Sequence, residues 1–143
     1  MKRHPSLQRF SREHHRALIL WRNLDKQLNS TDAIGQRMAA VDLWDYWNVD
    51  FLMHIKSEES LLVDLLNAAL RTRLLAEHET MQLEFRSMGL ALESKCELDI
   101  DDVRNLASLL RAHIRWEERV VFPYLQRHAT EQDLLRIATA FSE

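Results

Sequence analysis

Apolar residues recur along the chain in alternating steps of three and four, the spacing of an α-helix that buries one face. The first stripe predicts a helix over about residues 6–29. Its members are Leu7, Phe10, His14, Ala17, Trp21, Leu24 and Leu28. A second stripe, with an uncertain start, follows the potential caps Ser30, Thr31 and Asp32. It consists of Ile34, Met38, Val41, Trp44, Trp47, Phe51, His54, Glu58, Leu61 and Leu65.

The three-and-four spacing of apolar residues is interrupted near Asn67. Two further long helices are predicted after this position. The third stripe is Leu74, His78, Met81, Phe85, Met88 and Leu92. Asp99 can cap the fourth helix, which Pro123 should kink or end. Its inward positions are Val103, Leu106, Leu110, His113, Glu117, Val120 and Tyr124. A short fifth helix over about residues 131–141, behind Thr130, is expected to pack outside the bundle.

These elements predict an all-α fold, an antiparallel up-down four-helix bundle with a short C-terminal helix. The chain has only two glycines and two prolines in 143 residues, too few for many strands and turns. We expect one domain over residues 1–143, with the bundle at about 6–127, because 46% of the residues are hydrophobic and one core suffices.

The net charge and the N-terminal sequence argue against several classes of function. A formal charge of -3 provides no basic field for nucleic acid. No apolar core of a signal peptide follows Met1, and no stretch approaches the ~18 apolar residues of a membrane span, so we expect a cytoplasmic protein without membrane contact. Cys96, the only cysteine, is expected to be a reduced thiol without a metal-binding role.

Functional residues are expected where polar side chains occupy positions on the apolar stripes. Each of the four long helices places a histidine on its buried line, and two add a glutamate one turn later. These candidate metal ligands are His14, His54, Glu58, His78, His113 and Glu117. Because buried carboxylates cost several kcal/mol unless they are compensated, such a cluster indicates a bound cation.

An internal repeat indicates two cations. His54-Ile55-Lys56-Ser57-Glu58-Glu59 matches His113-Ile114-Arg115-Trp116-Glu117-Glu118, and Glu13-His14 matches Glu77-His78. Two copies of one helical hairpin would form a site with approximate two-fold symmetry. If both inward glutamates bridge, each metal receives two imidazoles and two carboxylate oxygens, leaving open positions. Such a site suits iron better than structural zinc, although manganese and zinc remain alternatives.

Some neighbouring residues have competing interpretations. His15 is the alternative to His14 as the ligand from the first helix, and phase favours His14. Glu59 and Glu118 lie about 100° around the helix from the inward glutamates, which indicates surface or supporting roles. Antiparallel packing should also bring a bulky apolar layer together beside the site. Its members are Trp21, Trp47, Phe85 and Leu106.

The two His-x-x-x-Glu-Glu segments, the opening Arg-Glu-His-His-Arg-Ala-Leu at residues 12–18 and the Glu77-His78 pair resemble the hemerythrin-like, or HHE cation-binding, family. The resemblance implies a hemerythrin-type bundle in which the six candidates named above bind two iron ions. Oxygen-carrying hemerythrins have a further histidine four residues before the third-helix ligand, where this chain has Leu74. The resemblance therefore favours the bacterial type with four histidines and two glutamates.

For function, the resemblance implies binding of dioxygen, nitric oxide or peroxide at open iron positions, for sensing, storage or stress response, with a protein partner or homodimer as options. The alternative is a di-iron enzyme with peroxidase-like, catalase-like or oxidase activity. A ferritin-like di-iron protein is disfavoured because its Glu-x-x-His signature is absent.

Overall fold

The computed structural model describes residues 2–30, 32–94 and 97–141. Helix α1 is Gln8–Ser30, behind a 3₁₀ turn at Pro5–Leu7. Helix α2 comprises Ala33–Tyr46, a π-helical turn at Trp47–Phe51, and Leu52–Leu61, followed by a 3₁₀ turn at Val63–Leu65. Helix α3 is Ala68–Glu93. Helix α4 comprises Ile100–Trp116, a π-helical turn at Glu117–Val121, and Phe122–His128, and α5 is Glu131–Ala140. The predicted all-α fold is confirmed, and the residues described contain no strand.

Side-chain caps fix the starts of four helices. The side chains of Asp32, Asn67, Asp99 and Thr130 each accept a hydrogen bond from a backbone N–H in the first turn of the helix that follows. Thr130 and Asp133 form a reciprocal capping box. Because these N–H groups have no partner within the helix, the caps set where each helix begins. The caps predicted at Asp32, Asp99 and Thr130 are confirmed.

The buried apolar side chains form two clusters. The larger cluster joins all four long helices and includes Leu24, Leu43, Phe85 and Leu110. The second includes Phe10, Leu74 and Phe122, and the short helix α5 contributes Leu134 and Ile137 to it. Helix α5 therefore adds two apolar side chains to this cluster, while its Leu135 is largely exposed.

The predicted buried face is wrong in the first half of α2. Ile34 and Met38 are largely exposed, and the buried residues there are Ala39, Ala40 and Leu43. Met38 lies nine residues before Trp47, about two and a half helical turns, and therefore faces the opposite side. The prediction extended the stripe through successive three-residue steps, and each such step moves about 60° around the helix.

A similar error near the end of α4 has a different cause. Val120 is exposed, and Tyr124 is only half-buried, whereas Val121 and Leu125 are fully buried. The π-helical turn at Glu117–Val121 accommodates one more residue than an α-helical turn, so the inward positions beyond it shift by one.

The predicted effect of Pro123 on α4 is only partly met. Pro123 does not end α4, because the chain stays helical through it and continues to His128. The chain does change its helical geometry immediately before the proline, at the π-helical turn.

The expected apolar layer forms in part. The rings of Trp47 and Phe85 stack with centroids 4.1 Å apart, and Leu106 lies in the same cluster. Trp21 is half-buried at the edge of the cluster, and the Arg111 guanidinium lies over its ring. The layer therefore closes one side of the bundle interior without Trp21 at its centre.

Two further sequence expectations concern a cysteine and membranes. Cys96 lies outside the described residues. Among the residues that are described, no helix is both long and apolar enough to cross a membrane.

Candidate metal centre

The four long helices bring the six candidate ligands to one buried layer. Their side chains are 0–3% exposed, although all six are polar, and they are His14, His54, Glu58, His78, His113 and Glu117. His15, the alternative to His14, is exposed on the outer face of α1. The structure thus places all the sequence-derived candidates together and separates His15 from them.

The inner atoms form two groups that share both glutamates. One group contains His14 and His54 with Glu58 and Glu117, and the other contains His78 and His113 with the same two glutamates. In each group the candidate ligand atoms all lie within 4.8 Å of one another. The Nε2 atoms of His14 and His54 are 3.0 Å apart, and those of His78 and His113 are 3.2 Å apart. This arrangement has the approximate two-fold symmetry that the sequence repeat predicted.

A second set of carboxylates contacts the outer nitrogens of the same histidines. The Nδ1 of His54 lies 3.0 Å from Glu13, and the Nδ1 of His113 lies 2.8 Å from Glu77. In the same way, Glu59 lies 3.0 Å from Nδ1 of His78, and Glu118 lies 2.9 Å from Nδ1 of His14. Each long helix therefore supplies one carboxylate to a histidine of the next, in the closed order α1 to α2, α2 to α3, α3 to α4 and α4 to α1.

This carboxylate ring fixes the protonation of the imidazoles. An ionised carboxylate can only accept a hydrogen bond, so Nδ1 must carry the proton. In a neutral imidazole, Nε2 then presents a lone pair to the centre. When the imidazoles are neutral, all four therefore direct an Nε2 lone pair toward the centre, in facing pairs about 3 Å apart.

Comparison with known proteins gives the family. The chain matches the family model described as the hemerythrin HHE cation binding domain over residues 6–125. It belongs to this family. Neither the curated proteins nor the solved structures provide a significant match. The matched range contains all four long helices almost completely, and the family description names cation binding.

The hemerythrin centre, formed by the six buried polar side chains, contains two buried glutamates whose negative charge needs compensation. Among the described residues, the inner histidine nitrogens are the only charged partners of the side-chain oxygens of Glu58 and Glu117, and all four oxygens are buried. Buried carboxylate oxygens normally have partners, because an unsatisfied buried charge is costly. Four such oxygens and four inward-facing nitrogens form a donor set that fits metal ions.

The raised pKa values of two histidines and one glutamate also show that positive charge is favourable in the hemerythrin centre. Burial alone would lower the pKa of His54, but the charge of Glu58 and the hydrogen bond with Glu13 outweigh it and raise the value to about 10. His113 is raised to about 10 in the same way, against burial, mainly by Glu117. Burial and the charge of Glu58 raise the pKa of Glu117 to about 7. Without a cation, the site therefore holds protons.

Aromatic rings enclose the half of the hemerythrin centre that α1 and α2 form. Phe122 stacks on His14 with centroids 5.4 Å apart, and Phe51 stacks on His54 at 4.9 Å. Phe10 meets His54 edge-on at 5.6 Å. On the other half, the Trp116 ring lies 6.0 Å from that of His113. These rings limit access of water and of bulky molecules to the histidines.

Sequence reasoning found the inner residues of the hemerythrin centre and missed part of the outer ring. The sequence predicts surface or supporting roles for Glu59 and Glu118, and the structure shows the supporting contact. Glu13 and Glu77 are visible in the sequence only as part of the repeat. The repeated Glu-His pair was the available signal, because a glutamate beside an inward histidine can reach toward the neighbouring helix.

Proposed function

We propose that this protein is a non-haem di-iron hemerythrin-like protein. His14 and His54 would hold one ion and His78 and His113 the other, with Glu58 and Glu117 bridging the two. We infer that it binds dioxygen, nitric oxide or peroxide at open iron positions for sensing, storage or stress response. The observation that carries this proposal is the convergence of four histidine Nε2 atoms and four carboxylate oxygens in a layer at most 3% exposed.

The donor set supports iron over a structural zinc site. Each ion would receive two imidazoles and two carboxylate oxygens, which leaves a six-coordinate ion incomplete, whereas structural zinc is satisfied by a closed tetrahedron. When bound, an iron pair supplies reversible redox change and positions for a small ligand. The inner and outer carboxylates would compensate its positive charge.

The enclosure of the centre supports a ligand of very small size. Phe10, Phe51 and Phe122 pack against the histidine rings, and the six inner side chains are almost inaccessible. A diatomic gas or peroxide can reach such a layer through small fluctuations of the bundle, whereas a larger substrate would have to displace core residues. The residues of this chain therefore orient the ligands, exclude water and select for size.

Metal analysis combined with absorption spectroscopy tests the proposal. Protein purified from iron-replete cells should contain about two irons per chain, and its reduced form should change its visible spectrum reversibly on exposure to dioxygen or nitric oxide. The variant His14→Gln should lose iron and the spectral change. The matched control His15→Gln alters the adjacent, exposed histidine and should behave like the unsubstituted protein.

Several outcomes would contradict the proposal. One tightly held zinc per chain with no spectral response would refute the di-iron centre. Equal iron content in His14→Gln and His15→Gln would refute the assigned ligands. Catalytic consumption of peroxide, without stable binding of any gas, would replace the binding function with the enzymatic alternative while leaving the metal site in place.

A further inference from the structure

A pocket of about 440 Å³ lies between α1 and α2, on the outer side of the His54 ring. Arg12 and Arg16 line it from α1, while Tyr46, Phe51 and Met53 line it from α2. Phe141, at the end of α5, closes one side. The volume is in the range of pockets that hold small organic ligands. The proposed gas-binding function gives this pocket no role.

The α1 wall of the pocket carries positive charge that is not neutralised. Arg9 contacts Glu13 at 3.4 Å and lies over the Phe141 ring, and Glu13 in turn contacts His54. Within the described chain, Arg12 and Arg16 form no ion pair, and both side chains are exposed. They stand four residues apart on one helix, so they repel each other unless an anion lies between them.

A free hydroxyl lies opposite the arginines. Tyr46 is half-buried in the pocket and forms no hydrogen bond with the described residues. Burial and the carboxylates of Asp50 and Glu13 raise its pKa, so the phenol stays protonated and can donate. Asp50 lines the α2 side and Glu13 the α1 side, but Glu13 is already paired with Arg9 and His54, which leaves Arg12 and Arg16 as the place for an anionic group.

The remaining wall is apolar and unusually exposed. Val49 and Met53 are 74% and 63% exposed, and both line the pocket beside the ring of Phe51. Val49 and Phe51 belong to the π-helical turn of α2, and such turns frequently occur at functional sites. An aromatic or aliphatic body placed here would cover apolar surface that water otherwise contacts.

We propose that this pocket binds a small aromatic carboxylate. Its carboxylate accepts hydrogen bonds from Arg12 and Arg16, its ring packs on Phe51 and Met53, and Tyr46 donates to a polar substituent or to the carboxylate. Arginine suits this task because its planar group presents two parallel N–H donors to a carboxylate. His54 and Glu13 also line the pocket, but Arg12, Arg16 and Tyr46 do not belong to the metal centre, so binding does not require the metal.

Calorimetric titration with 2-naphthoate, on metal-free and on iron-loaded protein, tests the proposal. We expect saturable binding of one molecule per chain in both forms. Arg12→Gln/Arg16→Gln should weaken it about tenfold or more, because two charge-assisted contacts are lost. The control Arg115→Gln/Arg119→Gln removes two arginines with the same spacing from α4, outside this pocket, and should bind like the unsubstituted protein. Similar affinity in all three proteins, or no saturable binding, would overturn the proposal.

Two further measurements locate the ligand. The chain has two tyrosines, and only Tyr46 lines this pocket, so 2-naphthoate should shift the ring resonances of Tyr46 and leave those of Tyr124 unchanged. The neutral amide of the same ring system should bind about tenfold more weakly or worse. Shifts confined to Tyr124, or equal affinity for acid and amide, would refute the site. Metal content does not enter these readouts, so their failure would leave the proposed metal function intact.

Discussion

The substitution Glu77→Gln tests whether the outer carboxylates contribute to the metal centre. Glu77 lies on α3 and accepts a hydrogen bond of 2.8 Å from Nδ1 of His113, the shortest of the four contacts in the carboxylate ring. Glutamine preserves the size and one acceptor oxygen but removes the negative charge. The variant therefore keeps His113 oriented while making its Nε2 a weaker donor to a metal.

The expected loss follows from the strength and burial of this contact. Hydrogen bonds to an ionised acceptor are roughly twice as strong as neutral ones, and loss of a carboxylate behind a metal-binding histidine typically costs about 10–100-fold in metal affinity. We expect about tenfold for Glu77→Gln and a larger loss for Glu77→Ala, which also frees the ring. Glu59 is 37% exposed against 24% for Glu77, so Glu59→Gln should have the smaller effect.

Competition between the protein and a chromophoric chelator for ferrous iron or manganese measures the affinity. Glu84→Gln is the matched control, because Glu84 is exposed on the same helix. Circular dichroism should show unchanged helicity in all variants. If Glu77→Gln and Glu84→Gln bind metal as tightly as the unsubstituted protein, the outer carboxylates only join the helices and do not tune the centre.

Two other predictions concern stability. In the metal-free protein, His54 and His113 have pKa values of about 10, above the value of about 6.5 in the unfolded chain, so the stability they provide is complete below about pH 6.5 and is lost as the pH rises toward 10. Thermal unfolding should show a melting temperature several degrees lower at about pH 9 than at about pH 6, and an equal or higher value would contradict the charge assignment. Val121→Ala should lower the free energy of unfolding by about 1–3 kcal/mol, and Val120→Ala by less than about 0.5 kcal/mol. Chemical denaturation measures both, and the reverse order would refute the π-helical register of α4.

Much of the fold and of the inner site could be predicted because both depend on local spacing. The three-and-four periodicity identified the helices, and short polar side chains at Asp32 and Asp99 gave two of their starts. A histidine or glutamate on an apolar stripe must be buried when the stripe packs. The positions of His54 and Glu58 in the structure follow from that spacing alone.

The carboxylate ring depends on which helices are neighbours, and the spacing of residues along one helix does not give this information. Glu13 reaches a histidine on α2, and Glu118 reaches one on α1. The pair Glu58-Glu59 shows the difference within two residues. Helical spacing turns Glu58 toward the core. Glu59 supports His78 only because α3 lies beside α2.

Helical periodicity is enough to identify which polar residues enter the core, because burial on a helix follows from a period of 3.6 residues. Tertiary structure decided where the helices depart from that period. The two halves share one His-Ile-x-x-Glu-Glu motif, yet the π-helical turn precedes His54 in α2 and begins at Glu117 in α4. A π-helical turn is an unfavourable local geometry that the packing of the whole bundle must stabilise, so the residues within it carry no reliable signal of its presence.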